Sequence, residues 1–171
     1  GDDNNQAARV NFVYEDSEGC IWFGTSSGLY RHNPETGQQV HYTTGRYSPS
    51  RLSSTYIDDM LEDLDGNFWI SGNGGVDLLK KDGQVRNYAL GTVRTLLMDS
   101  RSNIWAGTAG GRLLRMNRDE ADFERVHIPL EGRTEIRDLF QDSGNDIWIS
   151  TTGKGLIRYV LPQMEFITYD F

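Results

Sequence analysis

Four kinds of side chain in this sequence have the types that do chemistry. Asp63, Asp65 and Asn67 alternate as oxygen ligands do in a cation-binding loop. Cys20 is the single thiol, and His32, His41 and His127 are the three imidazoles. Each of these fails a test of spacing. A calcium loop needs further oxygen ligands and a later bidentate Glu at a fixed interval, and neither follows Asn67. Cys20 stands where comparable segments carry Asn67, Asn103 and Asp146, with no His and acid placed to activate it, so it reads as an inert small residue at a turn exit. The histidines fall at unrelated positions without ligand spacing and read as exposed strand or turn residues. The expectation is no metal, no cofactor, no catalytic residue and no enzymatic activity.

The fourth kind is polar residues set inside apolar runs. Asn11 and Phe12, Asp58 and Asp59, Arg94 and Thr95, and Arg137 and Asp138 occupy matching places yet differ in type. A scaffold position would repeat, so Asn11, Asp58, Arg94 and Arg137 are candidate ligand-binding residues at a channel mouth. The competing reading is a set of ordinary charge pairs around a water-filled channel. The insertion from Thr43 to Ser54 adds Arg46, Tyr47 and Arg51, types that suit stacking on a sugar and hydrogen bonding to it. It reads equally as a plain connecting loop.

The elements that must position these residues follow from the tryptophans. Trp22, Trp69, Trp105 and Trp148 are each preceded six residues earlier by Asp16, Asp63, Asp99 or Asp142. Three residues before each aspartate stand Val13, Met60, Leu96 and Leu139, and three before those stand Val10, Ile57, Val93 and Ile136. Downstream, a small residue two after Trp and a Gly-containing turn lead to a third and a fourth apolar run. Four short runs rich in β-branched and aromatic residues, repeated at Trp spacings of 47, 36 and 43, predict four-stranded blades. A helical repeat is excluded because the runs are too short. The fold class is therefore all-β, a β-propeller of four four-stranded antiparallel blades. A single domain spans 1–171, with blades at about 9–45, 55–91, 92–130 and 135–171. In blade one the strands are expected near 9–14, 20–25, 28–32 and 38–43.

Each residue type has a physical role in that plan. The Asp-initiated segments, such as Asp63-Leu64-Asp65-Gly66-Asn67, are hairpin turns in which Asp accepts backbone N–H groups and Gly or Asn takes positive φ. Trp fills the space between neighbouring blades, its N–H reaching a backbone carbonyl. The small residue after it allows close approach of the next blade.

Composition narrows the partners. The net charge of −8 comes with scattered Lys and Arg, so neither nucleic acid nor an anionic membrane surface is an expected partner. One cysteine excludes an intramolecular disulfide. No run approaches the roughly 20 apolar residues of a membrane span. The polar opening Asp2-Asp3-Asn4-Asn5-Gln6 reads as a mature terminus or a cut boundary.

The runs from Asp16 to Thr25 and Gly28 to Arg31, with Asp63 to Ile70 and Asp142 to Thr151, resemble the two-component regulator propeller repeat. The resemblance covers Val10 to Tyr169. Copies two and four depart from it with Ser71 and Ser150 in place of Gly, and copy two with Gly72 in place of Thr. It implies a periplasmic, ligand-sensing region of a bacterial hybrid two-component system, often one that senses oligosaccharides. It also implies further blades, a β-sandwich, a membrane helix and a histidine kinase, none of which is present here. The expected function is a non-enzymatic sensing module for an oligosaccharide or other small ligand. The alternatives are a propeller enzyme of lyase or glycosidase type and a protein-binding scaffold.

Four blades either close a small ring or form part of a larger one. An unclosed arc exposes an apolar face at each end, which favours a homodimer through the open blade faces.

Overall fold

The computed structural model describes residues 8–130, 132 and 134–171, so the polar opening from Asp2 to Gln6 lies outside the described residues. Among the described residues sixteen strands follow one another in four sets of four. Blade one holds β1 (Val10–Glu15), β2 (Ile21–Thr25), β3 (Gly28–His32) and β4 (Gln39–Tyr42). Blade two holds β5 (Ile57–Glu62), β6 (Phe68–Gly72), β7 (Gly75–Leu79) and β8 (Val85–Tyr88). Blade three holds β9 (Val93–Met98), β10 (Ile104–Thr108), β11 (Leu113–Met116) and β12 (Glu124–Val126). Blade four holds β13 (Ile136–Gln141), β14 (Ile147–Thr151), β15 (Leu156–Val160) and β16 (Glu165–Tyr169). Each set is an antiparallel meander in sequence order. The fold is all-β, four blades of a β-propeller.

The turn joining the first two strands of each blade is built alike four times. Its fourth residue is left-handed in every copy: Gly19 at φ 77°, Gly66 at 75°, Ser102 at 64° and Asn145 at 70°. The aspartate that opens the turn accepts two backbone N–H groups, as Asp63 Oδ1 does from Asp65 and Asn67 at 2.9 Å each. The indole N–H corrects one expectation. It donates not to a backbone carbonyl but to the second oxygen of that aspartate, at 2.7 Å from Trp22, 2.9 Å from Trp69, 2.8 Å from Trp105 and 2.7 Å from Trp148. The carboxylate has acceptor capacity to spare, and the turn brings it back over the ring.

Three apolar clusters separate the four blades. Trp22 and Leu29 of blade one pack with Ile57, Met60 and Ile70 of blade two. Trp69 and Val76 pack with Val93, Leu96 and Ala106 of blade three. Trp105 and Leu113 pack with Ile136, Leu139 and Ile149 of blade four. The small residue two after Trp acts as expected at Gly107, where a Cβ would lie 2.4 Å from Ile136 Cγ2 of the next blade.

The arc does not close on itself. The first strands pack in succession, β1 on β5, β5 on β9 and β9 on β13, while β13 and β1 do not pack as those pairs do. Ile57, Val93 and Ile136 are fully buried, yet Val10 in the matching place is 52% exposed. Met60, Leu96 and Leu139 are buried, and Val13 is 67% exposed. At the other end Trp148 and Leu156 are only half-buried and Phe140 is exposed, around an open hollow on the outer face of blade four.

Candidate functional site

The first strand of each blade lines the propeller axis and pairs on one side only. Each of these strands carries a β-bulge at the same place. The pairing of β1 with β2 skips from Val10 to Phe12, β5 with β6 from Ile57 to Asp59, and β13 with β14 from Ile136 to Asp138. In β9 the partners of Thr108 and Gly107 are Val93 and Thr95. The unpaired residues are Asn11, Asp58, Arg94 and Arg137. A bulge frees one residue from the ladder and re-aims its side chain, so the same device presents all four sequence-predicted residues at the axis.

Once there, they interact across blades. Asn11 Nδ2 donates to the Ile57 carbonyl at 2.7 Å, and the Tyr56 hydroxyl donates to Asn11 Oδ1 at 3.1 Å. Arg94 Nη1 bonds Asp58 Oδ1 at 3.1 Å, and Arg94 Nε bonds Glu135. Arg137 Nη1 meets the other oxygen of Glu135 at 3.3 Å. A continuous row of Asp58, Arg94, Glu135 and Arg137 thus crosses blades two, three and four. The Arg137 side chain remains 59% exposed, and the buried Asp58 Oδ2 has no hydrogen-bond partner among the described residues. Charge pairs thus form at Asp58, Arg94 and Arg137 alike, while Arg137 and Asp58 keep unused hydrogen-bonding capacity.

Electrostatics follow the burial. Burial pushes the Asp58 carboxyl up, with Arg94 opposing it. Glu135 is held below its usual range: burial works against ionisation, and its bonds to Arg94 and Arg137 outweigh it. Asp59 lies next to the row, its Oδ1 accepting Met60 N at 2.8 Å and its Oδ2 accepting Leu96 N of the next blade at 2.7 Å. Burial raises its pKa to about 6 in spite of those two bonds, and the carboxylates of Asp138 and Asp58 add to the rise.

The insertion from Thr43 to Ser54 stands elsewhere. Leu52 is buried in the cluster between blades one and two. The Ser53 N–H and hydroxyl donate to Asp77 Oδ2 at 2.8 and 3.0 Å, and the Ser50 hydroxyl donates to the Gly83 carbonyl at 2.9 Å. The segment is thus tied down along blade two. Arg46, Tyr47 and Arg51 are exposed, with the Arg46 guanidinium 5.8 Å from the Tyr47 ring centre. The hydrogen bonds and ion pairs that link the axial residues do not include these three.

Three partners of the axial row were not singled out from sequence: Tyr56, Glu135 and the acceptor role of Asp59. Tyr56 and Glu135 each stand two residues before the bulge, a place also held by Arg9 and Thr92. That spacing was the available signal, but the four types differ and no apolar pattern marks them. A second polar cleft of about 290 Å³ opens between blades two and three beside the Asp-turns, where Asn67, Arg86, Asn117 and Glu120 converge near Trp69 and Tyr88. The three histidines occupy the end of β3, the outer strand β4 and the segment after β12, not the axial strands.

Comparison with known proteins agrees with this architecture. Residues 6–27, a stretch that includes β1 and β2, match the two component regulator propeller family model. Histidine kinase P4 of Formosa agariphila is 28% identical over 75 residues, covering 42% of this chain and 6% of that protein. The extracellular domain assigned to the hybrid two component system BT3049 of B. thetaiotaomicron superposes with a TM-score of 0.83 at 24% identity, over 99% of this chain and 24% of that one. Virginiamycin B lyase from Staphylococcus aureus superposes with a TM-score of 0.76 at 15% identity, over 97% of this chain and 57% of that one. The chain thus spans a small part of each kinase-type protein it resembles.

Proposed function

We propose that this chain is a blade segment of an extracellular or periplasmic sensor propeller, and that it binds an oligosaccharide at the axial row rather than transforming it. The observation that supports the reading most is the bulge repeated in every blade. It sets Asn11, Asp58, Arg94 and Arg137 at the axis as an amide, a carboxylate and two guanidiniums. Alternating donors and acceptors of this kind match the hydroxyls of a sugar, and Tyr56 supplies a flat apolar face beside them. The likeness to the extracellular domain of a hybrid two component system supports the sensing role and the location.

Isothermal titration against a panel of neutral and acidic oligosaccharides tests the proposal, with Arg137→Ala alongside. The expected result is saturable heat with one sugar class and at least about tenfold weaker binding in the variant. No heat with any sugar overturns the oligosaccharide reading. The likeness to virginiamycin B lyase makes turnover the competing outcome. Conversion of a bound sugar or of quinupristin, followed by mass spectrometry, would replace binding with catalysis.

A further inference from the structure

We propose that the cleft between blades two and three is a second ligand site, separate from the axial row, and that it takes a small amphipathic carboxylate, apolar body inward and anionic head at the rim. Asp58 stands at the start of β5 and the Asp63 turn follows its end, so the cleft and the axial row lie at opposite ends of the strands. The repeat shows what this junction lacks. In blades one and three an Arg of the third strand pairs with the Trp and holds its guanidinium 5.5 Å from the ring centre, Arg31 on Trp22 and Arg115 on Trp105. Trp69 is paired with Leu78 instead. The arginine stands one strand further out, as Arg86, and lies over Tyr88 at 4.8 Å. At the first junction the Phe68 ring also packs 4.7 Å from Trp22, and Ile104 holds the matching place beside Trp69. A polar latch is missing as well. Ser17 donates through its N–H and hydroxyl to Glu62 at 2.8 and 2.6 Å, and Ser100 N–H donates to Gln141 at 2.7 Å. Leu64 and Met98 hold those two places at the middle junction. The hollow at the first junction measures about 200 Å³, with Arg31 and Phe68 in its walls. The middle cleft measures about 290 Å³, with Trp69, Leu78, Met98, Ile104 and Met116 in its walls. That volume is at the small end of ligand sites, which suits a free small molecule rather than a folded partner.

The sign of the head group follows from which charges at the rim are already engaged. Asp63 Oδ1 accepts the backbone N–H groups of Asp65 and Asn67. Its Oδ2 accepts the Trp69 indole at 2.9 Å and the Asn67 side-chain amide at 3.3 Å, which fills the lone pairs of that carboxylate. Glu120 is engaged too, its two oxygens accepting Asn117 N at 3.0 Å and Asn117 Nδ2 at 2.7 Å. The cations are not. The Lys80 and Arg118 side chains are exposed at the rim and make no hydrogen bond or ion pair among the described residues. Arg86 commits only Nη2, to the Ala121 carbonyl of blade three at 2.8 Å. Against these three stands one unengaged carboxylate, Asp65. The available charge in the cleft is therefore positive, although the chain as a whole carries −8. A guanidinium presents paired N–H donors that match the two oxygens of a carboxylate. The thioethers of Met98 and Met116 adapt to an aromatic or aliphatic body beside Trp69.

Three probes with one body and different heads test this: phenylbutyrate, phenylbutyramide and phenylbutylamine. Each is titrated into the chain while its backbone and indole N–H resonances are followed by two-dimensional NMR. Phenylbutyrate should shift the Trp69 indole and the Arg118 amide saturably. The amide should bind at least about tenfold more weakly, and the amine more weakly still. Arg118→Glu, at an exposed turn position, should keep its circular dichroism spectrum and weaken phenylbutyrate by at least about fivefold. Leu64→Ser combined with Met98→Glu rebuilds the latch of the first junction and should abolish the shifts in a chain that still folds. No saturable shift of the Trp69 indole by phenylbutyrate overturns the proposal. Equal affinity for the three heads overturns the carboxylate preference, and shifts that survive both variants unchanged overturn the site.

Discussion

In blade three the indole Nε1 of Trp105 donates to Asp99 Oδ2 at 2.8 Å, while Asp99 Oδ1 accepts the backbone N–H groups of Arg101 and Asn103 at 2.9 Å each. One carboxylate thereby fastens a hairpin turn to the aromatic ring that fills the junction with the next blade. The six-residue spacing of Asp and Trp is the distance along the chain over which a tight turn brings the two together. Asp99 is buried, so its removal leaves an indole N–H and two amides without their acceptor. Asp99→Ala is expected to cost about 3 kcal/mol in urea denaturation. Asp142→Ala makes the matching change beside the half-buried Trp148, where water can replace the lost acceptor, and should cost clearly less. Equal losses at the two sites would contradict an open fourth blade.

The same position has opposite burial in blades one and three. Leu96 is buried against blade two, and Val13 is 67% exposed. Leu96→Ala should therefore cost about 3 kcal/mol through lost transfer energy and a cavity. Val13→Ala in dilute solution should stay within about 0.5 kcal/mol of the parent. A comparable loss at Val13 would mean that its face is covered in the monomer.

The blade pattern was legible because burial imposes it. Val10, Ile57, Val93 and Ile136 repeat since three of them seal a junction, and the turn aspartates repeat since each holds a ring and a turn. The openness of the arc was not legible, because Val13 and Leu96 look alike as letters while one faces solvent. The axial residues were visible only as irregularities. Asn11, Asp58, Arg94 and Arg137 stood out as polar letters in apolar strands, and the bulge that frees them leaves no residue type behind it. Asp77 shows the limit from another side. It replaces the Tyr30, Leu114 and Ile157 of the other blades, and only the fold reveals that it is buried to receive Ser53. Arg46, Tyr47 and Arg51 had suitable chemistry, but suitability does not specify where a loop is tied.

Arg94 and Arg137 should separate structure from recognition. Arg94 bonds carboxylates from two other blades, one of them the nearly buried Asp58, and its loss strands that charge. Since the Arg94 side chain is 31% exposed, screening reduces the effect, and Arg94→Leu is expected to cost about 1–2 kcal/mol. Arg137→Ala should change stability by less than about 0.5 kcal/mol, because its side chain is 59% exposed and its ion pair with Glu135 is solvated. Denaturation curves beside the titrations decide the matter. A stable Arg137→Ala protein that binds sugar as the parent does would remove Arg137 from the site.

Asp59 should give the chain a stability that falls as pH rises toward neutrality. Its carboxyl is raised from the ordinary 3.8 to about 6, chiefly by burial. The native state therefore keeps the proton to a higher pH than the unfolded chain does. Below the unfolded value both states are protonated and Asp59 makes no demand. Between that value and about 6 the native state binds more protons, so stability decreases with pH; above 6 the full cost of a buried carboxylate is present. A displacement of about two units corresponds to about 3 kcal/mol. Asp59→Asn cannot ionise, so the stability of the parent relative to this variant should drop by about 2–3 kcal/mol between pH 4 and pH 7. Taking that difference cancels the other carboxylates, including Asp16 and Glu135, whose lowered values act in the opposite sense. Denaturant melts of both proteins at half-unit pH steps measure it. Parallel curves for parent and variant would show that Asp59 titrates as an ordinary surface carboxylate.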